Sequence, residues 1–214
     1  MTNPYKTVID FENAISEYCG SKFAVAVESC TAALFLCLMY RKYIEGEIGR
    51  VVLPSRTYPG VAASVIHAGG RLDFDDNPWE GEYELGETFI WDAALRFKRD
   101  MFGGKPLGAL QCLSFHCKKN LPIGRGGMVL TNEDHVAKWL RKARFDGRNP
   151  VPLQEDVIDV VGWNCYLQPE QAARGLQLMQ SILSKYPDGP PDLIVEDQKY
   201  SDLSIQPAYQ KYMV

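Results

Sequence analysis

Residues 109–131, with the sequence ALQCLSFHCKKNLPIGRGGMVLT, concentrate reactive side chains between two predicted strands. The apolar run 109–113 predicts a buried strand, and residues 127–131 predict a strand that returns after a Gly-rich loop. Between them lie the hydroxyl of Ser114 and the amines of Lys118 and Lys119. A lysine that follows a buried strand can lie in an apolar pocket, where desolvation and a cationic neighbour lower its pKa and free the amine for Schiff-base formation. The alternative is a solvated lysine pair on a surface loop.

On both sides of this stretch, short apolar strands alternate with helices. The predicted strands are residues 23–27, 51–53, 71–75 and 88–91, and the predicted helices are residues 11–19, 32–43, 61–68, 133–145 and a long helix from 169. Asp10 and Asn132 are the predicted N-caps of the first and fourth helices. Residues 76–87 are acidic, contain a proline and glycines, and are predicted to form a loop. This alternation predicts an α/β fold, a three-layer sandwich with a mostly parallel sheet.

The composition is that of an ordinary globular protein and argues against several classes of partner. A formal net charge of -4 offers no basic surface for nucleic acid or a membrane. No apolar run approaches the roughly 20 residues of a membrane span, and residues 1–6 lack the apolar segment of a signal peptide, so we expect a cytoplasmic protein. Six cysteines without a C-x-x-C pair and three dispersed histidines predict neither a disulfide framework nor a metal site.

Five features with useful chemistry follow strands or begin helices: a Ser/Thr helix start at 29–31, Tyr58, Asp92, Ser114 and Lys119. Asp92 ends a predicted strand, and ligands of open α/β sheets bind at that edge. Pyridoxal phosphate requires such a set, because its aldehyde needs a lysine, its pyridine nitrogen a carboxylate, its phosphate a helix N-terminus and its ring an aromatic neighbour. Taken alone, the helix start at 29–31 is also explained as a plain N-cap.

Five segments of the chain carry a resemblance to a known family. They are FENAISEYCGSKFAVAVESCTAAL (11–34), VVLPSRTYPGVAA (51–63), FIWDAA (89–94), SFHCKKNLPIGRGGMVLT (114–131) and GWNCYLQPEQAARGLQL (162–178). In this order they resemble the DegT/DnrJ/EryC1/StrS family of sugar aminotransferases, which depend on pyridoxal phosphate and have fold-type I. The block S-F-x-x-x-K-N-L followed by G-x-G-G is the most specific of them. The resemblance implies the large domain of a fold-type I transferase.

The resemblance also implies roles for the residues around the cofactor ring. Lys119, and not Lys118, matches the lysine that forms the Schiff base and later carries the proton. Asp92 matches the carboxylate that pairs with the pyridine nitrogen and keeps it protonated. Tyr58 matches the aromatic residue that stacks on the ring.

A second group of residues is implied for the phosphate. Ser114 and the turn of Cys30, Thr31 and Ala32 match the residues that bind it within one subunit. Asn164 matches an asparagine that reaches across a dimer interface to the phosphate of the neighbouring subunit. The resemblance therefore implies a homodimer with shared active sites.

The chain departs from the family pattern at several positions. Leu95 replaces a polar residue near the phenolic oxygen of the cofactor, and Tyr166 replaces an arginine. In the phosphate turn, Cys30 replaces a glycine and is expected to crowd the turn, while Glu28 adds a negative charge nearby.

The chain is also much shorter than its relatives. We expect residues 1–165 to form a reduced cofactor-binding large domain. Residues 166–214 are expected to form a long helix and a short C-terminal segment, a remnant of the small domain, which is largely missing. A strand–helix unit is expected to be absent between Asp75 and Asp92.

The resemblance implies an aminotransferase with a nucleotide-linked keto-sugar as acceptor and glutamate or glutamine as amino donor. Lys119 would also act as the general base of the 1,3-proton shift. A dehydrating variant of the family has histidine in place of this lysine, so Lys119 argues against it. The alternative is a reduced, catalytically silent relative with a structural, regulatory or partner-dependent role, which Leu95 and Cys30 favour. A third possibility is an unrelated α/β fold in which Lys119 is a surface residue.

Overall fold

The computed structural model describes residues 5–214, apart from the side chain at position 197. The helices are α1 (Lys6–Cys19), α2 (Cys30–Glu45), α3 (Pro59–Ala68), α4 (Asp134–Ala143), α5 (Pro169–Lys185) and α6 (Pro207–Gln210). The strands are β1 (Phe23–Val27), β2 (Arg50–Pro54), β3 (Arg71–Asp75), β4 (Tyr83–Glu84), β5 (Ile90–Asp92), β6 (Leu110–Ser114) and β7 (Gly127–Thr131). None of the helices described is long and apolar enough to cross a membrane.

Five of the strands form one mixed sheet in the order β1-β7-β6-β5-β4. Strands β1, β6 and β5 run in one direction, and β7 and β4 run against them. Strands β2 and β3 form a separate parallel pair. The last residues extend this pair, because the Leu72 N–H donates to the carbonyl of Tyr212 at 2.8 Å. The α/β class is confirmed, with a sheet that is mixed.

Helices cover both faces of the main sheet. The pleat of β1 turns Val25 and Val27 toward a core that contains α2, α3 and α4. It turns Ala24 and Ala26 toward a second core that contains α1 and α5. The predicted three-layer arrangement is therefore present.

Two predicted helix caps are wrong. Helix α1 begins at Lys6, so Asp10 lies inside it and pairs with Lys6 one turn earlier. Asn132 accepts a hydrogen bond from the Lys22 N–H at 2.8 Å, and α4 begins after Glu133. In both cases the polar side chain interacts with another residue and does not cap the helix.

The predicted loop 76–87 is wrong in part, because it contains the short strand β4. Tyr83 and Glu84 pair with β5 in antiparallel register. A two-residue strand has no period that a sequence pattern could reveal. Its position is set by contacts with the strand that ends at Asp92.

The C-terminal part of the chain lies against the rest of the molecule. Helix α5 packs on α1 so closely that a Cβ at Gly175 would come within 2.6 Å of the Phe11 ring. The chain then crosses the end of β5, where the Leu193 N–H donates to the carbonyl of Leu95 at 2.9 Å. Leu203 is buried and its N–H donates to the carbonyl of Ser55 at 2.8 Å. The division into units at residue 165 stays a prediction.

Candidate active site

A cavity of about 300 Å³ lies where β5 and β6 end and α2 begins. Six of the residues predicted from the sequence line it: Cys30, Thr31, Tyr58, Asp92, Ser114 and Lys119. Asp92 and Ser114 are the last residues of β5 and β6, so the sheet topology brings them to the same edge. The cavity therefore unites residues that are far apart in the sequence.

Lys119 lies half-buried in this cavity, whereas Lys118 lines it from an exposed position. Burial lowers the pKa of Lys119, and the negative charge of Asp92 partly opposes that effect. The backbone N–H of Lys119 donates to the carbonyl of His116 at 2.9 Å, which holds the loop in a turn. The amine of Lys119 thus loses its proton more readily than a solvated lysine.

Asp92 is the buried carboxylate of the site, with 4% of its surface exposed. Burial raises its pKa, and four effects oppose this: the Ala94 N–H donates to it at 3.0 Å, the positive charge of Lys119 favours the ionised form, the Tyr83 hydroxyl donates at 3.3 Å, and the Cys30 thiol donates at 3.8 Å. A buried carboxylate near a cationic site can pair with a charged nitrogen of a ligand.

Tyr83 and Thr57 support Asp92 and were missed in the sequence. Their hydroxyl oxygens lie 2.6 Å apart, and the Tyr83 hydroxyl also reaches Asp92. Burial, followed by the charge of Asp92, raises the pKa of Tyr83, so this hydroxyl stays protonated and remains a donor. No sequence signal was available for Tyr83, because it lies in the segment predicted as a loop.

The N-terminus of α2 forms the polar end of the cavity. Ser29 is its N-cap, and the Ser29 Oγ accepts from the Ala32 N–H at 3.1 Å. Ala32 therefore completes the cap and does not line the cavity, whereas Cys30 and Thr31 do. The first N–H groups of a helix lack partners within it, and its positive end attracts anions. Together with the Ser114 hydroxyl, this end has the chemistry of a phosphate site.

Gly127 allows β7 to pass against this turn. A Cβ at Gly127 would lie 2.6 Å from the backbone nitrogen of Cys30, a distance that real Cβ atoms do not adopt. The Gly-rich pattern that follows Lys119 thus has a packing reason. It keeps the strand close to the start of α2.

The departures at Cys30 and Glu28 are accommodated. The Cys30 Sγ lies 3.8 Å from Asp92 Oδ1 and 3.7 Å from the carbonyl of Cys112, so the thiol is directed toward the sheet. Burial raises the pKa of the Cys30 thiol, which keeps it neutral. Glu28 forms an ion pair with Arg125 at 2.7 Å, so its charge is compensated.

Leu95 and Asn164 both lie away from the cavity lining. Leu95 is fully buried, and it is Ala94 that lines the cavity. Asn164 is exposed and its Nδ2 donates to Asp146 at 2.9 Å. A role of Asn164 toward a second subunit stays a prediction.

Three further lining residues, Trp79, Gln198 and Tyr200, carried no signal in the sequence. The rings of Trp79 and Tyr200 are nearly parallel, with centroids 6.4 Å apart and planes inclined by 17°. They come from the segment before β4 and from the C-terminal part of the chain. Their contact links residues more than a hundred positions apart, which no local pattern records.

Solved structures share this fold. A DegT DnrJ EryC1 StrS aminotransferase from Brucella abortus has a TM-score of 0.71 at 21% identity, covering 97% of this chain and 79% of that chain. The sugar aminotransferase CalS13 from Micromonospora echinospora has a TM-score of 0.68 at 19% identity, covering 85% of this chain and 63% of that chain. These similarities confirm the predicted fold, that of a shortened large domain.

Curated proteins, among them the following two, are also similar to this chain in sequence. GDP-perosamine synthase from Caulobacter vibrioides is 28% identical, covering 82% of this chain and 57% of that protein. The spore coat polysaccharide biosynthesis protein SpsC from Bacillus subtilis is 28% identical, covering 65% of this chain and 46% of that protein. The chain thus spans about half the length of these relatives.

The sequence model of one family matches most of the chain. It covers residues 1–78 and 85–185, which contain all the residues predicted for the site. The segment before β4 and the residues after α5 lie outside the match. The chain therefore belongs to the DegT/DnrJ/EryC1/StrS aminotransferase family.

Proposed function

We propose that this chain binds pyridoxal phosphate and catalyses transamination of a nucleotide-linked keto-sugar, with glutamate or glutamine as amino donor. Aminotransferases of the family depend on this cofactor. The observation that carries the proposal is the cavity in which the half-buried amine of Lys119 and the buried carboxylate of Asp92 both lie. The name of the relative GDP-perosamine synthase supports a nucleotide-linked sugar as acceptor. The cytoplasm remains its predicted location.

The residues present fit the cofactor. The cavity, at about 300 Å³, is within the size of small-ligand pockets, roughly 300–1,000 Å³. Its lining offers the carboxylate of Asp92, the hydroxyls of Thr31 and Ser114 with a helix N-terminus, and the exposed ring of Tyr58. The carboxylate of Asp92 matches a basic ring nitrogen, and the amine of Lys119, whose pKa is lowered by burial, matches an aldehyde.

When bound, pyridoxal phosphate supplies an electron sink that makes the C–H bond of an amino acid acidic. Asp92 would hold a proton on the ring nitrogen, and the donors around it, Ala94 N–H and the Tyr83 hydroxyl, fix its orientation. Lys119 would move the proton, because burial lowers its pKa toward the pH at which an amine is an efficient general base. The exposed amine of Lys118 at the rim favours an anionic substrate.

Cofactor chemistry tests this proposal. Purified protein mixed with pyridoxal phosphate should gain a visible absorption band that borohydride bleaches. The variant Lys119→Ala should lose the band, and the matched control Lys118→Ala should keep it. If both variants keep the band, the assignment of the Schiff-base lysine is wrong.

The second candidate is a catalytically silent relative that retains the cofactor. It is favoured by Leu95, a fully buried apolar residue at a position where the family pattern has a polar one. The two candidates differ in the donor half-reaction. Conversion of bound cofactor to the pyridoxamine form by glutamate or glutamine supports the enzyme, and a bound cofactor that no amino donor converts supports the silent relative.

We also propose that the chain acts as a homodimer in which Asn164 serves the neighbouring subunit. Asn164 is exposed, and nearby residues leave apolar side chains in solvent: Val157 is 74% exposed and Val161 is 86% exposed. Exposed apolar residues close in sequence to Asn164 support an interface in this region. In a dimer of this kind, each site would combine Lys119 of one subunit with Asn164 of the other.

A tagged heterodimer of Lys119→Ala with Asn164→Ala tests the sharing. If Asn164 acts across the interface, one site of the pair is intact and one is doubly altered, so about one tight cofactor site per dimer is expected. If Asn164 acts in its own subunit, each site carries one altered residue and no intact site remains. If Asn164 has no role, the Asn164→Ala homodimer binds the cofactor as tightly as the unaltered protein. A chain that stays monomeric at the working concentration would refute the dimer.

A further inference from the structure

Part of the cavity wall is made by segments that lie outside the family match. The match covers residues 1–78 and 85–185, whereas Trp79 lies in the gap and Gln198 and Tyr200 lie beyond the end. These residues reach the same cavity as Lys119. The cavity wall thus combines residues inside the family match with residues outside it.

This wall is anchored on both sides. The Trp79 Nε1 donates to the carbonyl of Arg56 at 3.2 Å, and its ring meets the Tyr83 ring edge-on at 4.7 Å. The segment that carries Tyr200 is held before it by the Leu193–Leu95 hydrogen bond. It is held after it by Leu203, which is 2% exposed and packs in the core. The segment that places Tyr200 at the cavity is therefore held by contacts on both sides.

Tyr200 and Asp92 line the same cavity. Burial raises the pKa of Tyr200, and the negative potential of Asp92 raises it further, followed by smaller effects of Cys30 and Tyr58. Among the described residues, its hydroxyl has no hydrogen-bond partner, whereas the Tyr83 hydroxyl close by is paired twice. A half-buried phenol with an unused donor is suited to a ligand.

We propose that Tyr200, backed by Trp79, is a cofactor-binding residue: its ring closes the cavity beside Asp92, and its hydroxyl donates a hydrogen bond to the bound pyridoxal phosphate. This inference rests on the proposed function, since it concerns the same cavity. It assigns part of the C-terminal segment to the binding site.

The test compares cofactor affinity between two tyrosine variants of the same segment. Tyr200→Ala should weaken the dissociation constant for pyridoxal phosphate about tenfold or more, because it removes an aromatic contact and a hydrogen bond. Tyr209→Ala is the matched control: Tyr209 is also half-buried, packs against Phe74 at 6.5 Å and does not line the cavity. Tyr200→Phe should lie between Tyr200→Ala and the unaltered protein, because it keeps the ring and loses the donor.

Equal affinities of Tyr200→Ala and the unaltered protein, or an equal loss in Tyr209→Ala, would overturn the proposal. Hydrogen exchange on the unaltered protein gives a second test that needs no variant. Amides of residues 196–203 should exchange more slowly when pyridoxal phosphate is added, and unchanged exchange there would also overturn it. If the unaltered protein binds no cofactor, the proposed function itself has failed, which is a distinct result.

Discussion

Replacing Tyr83 with phenylalanine removes one hydroxyl at the base of the site and leaves the ring in place. That hydroxyl donates to Asp92 Oδ2 at 3.3 Å and lies 2.6 Å from Thr57 Oγ1. Asp92 keeps the Ala94 N–H at 3.0 Å as a donor. The variant therefore weakens the support of a buried carboxylate without emptying the core.

The expected cost follows from these contacts. A hydrogen bond to a charged group contributes about 1.5–3 kcal/mol, and the 3.3 Å separation places this bond at the weak end. Thr57 also loses its partner. We expect Tyr83→Phe to lower the free energy of unfolding by about 1–2 kcal/mol at neutral pH.

The loss of stability in Tyr83→Phe should increase as the pH rises. Burial raises the pKa of Asp92 above its ordinary value of 3.8. A carboxyl with a raised pKa lowers stability as the pH rises, because the unfolded chain loses this proton first. The Tyr83 hydroxyl stabilises the ionised form, so its removal should cost more at about pH 8 than at about pH 4.

Urea denaturation of the cofactor-free protein at both pH values measures this difference. Tyr18→Phe is the matched control, because the buried hydroxyl of Tyr18 has no hydrogen-bond partner among the described residues. Its removal should change stability by less than about 0.5 kcal/mol. A Tyr83→Phe penalty that is absent, or the same at both pH values, would refute the role of this hydroxyl as a support of ionised Asp92.

Three further predictions concern other parts of the molecule. Glu12, 2% exposed, accepts from the Ala26 N–H at 2.9 Å and pairs with Arg144, so Glu12→Ala should cost about 3–5 kcal/mol in chemical denaturation; an unchanged midpoint would show that the pair is not needed. Gly127→Ala should cost about 1–3 kcal/mol and weaken cofactor binding in equilibrium dialysis, because a Cβ there collides with the start of α2; normal binding would contradict the close approach. Burial lowers the pKa of Lys119, so at a pH below the pKa of an ordinary lysine an amine-directed reagent should label Lys119 more readily than other lysines. Peptide mass spectrometry compares the labelling of the two kinds of lysine as a function of pH. Equal pH profiles would count against a buried Lys119.

The sequence predicted the parts of the site that lie within continuous motifs. The block around Lys119 contains its strand, its lysine and its Gly-rich return, and the structure has each of them, with β6 at Leu110–Ser114 and β7 at Gly127–Thr131. Asp92 was recognisable because it ends an apolar strand. In both cases the apolar pattern that predicts the strand and the reactive side chain lie within a few consecutive residues.

The remaining parts depend on contacts between distant segments. Tyr83 acquires its role by pairing with β5, and Tyr200 reaches the cavity after the chain has crossed the molecule. The pairing of β1 with β7 joins strands about a hundred residues apart. The sheet is mixed because β7 and β4 run against the other three strands. No periodicity or motif of one segment contains the position of its partner, so these features become visible only in the folded chain.

The opposed pKa shifts of Asp92 and Lys119 have a thermodynamic consequence for loading the cavity. A ligand that brings a cationic nitrogen to Asp92 lowers the proton affinity of that carboxyl, and a bond to Lys119 requires its neutral amine. Binding of pyridoxal phosphate is thus linked to proton exchange with the buffer. The heat recorded in a titration calorimeter therefore includes the ionisation enthalpy of the buffer, and comparing buffers counts the protons that move when the site fills.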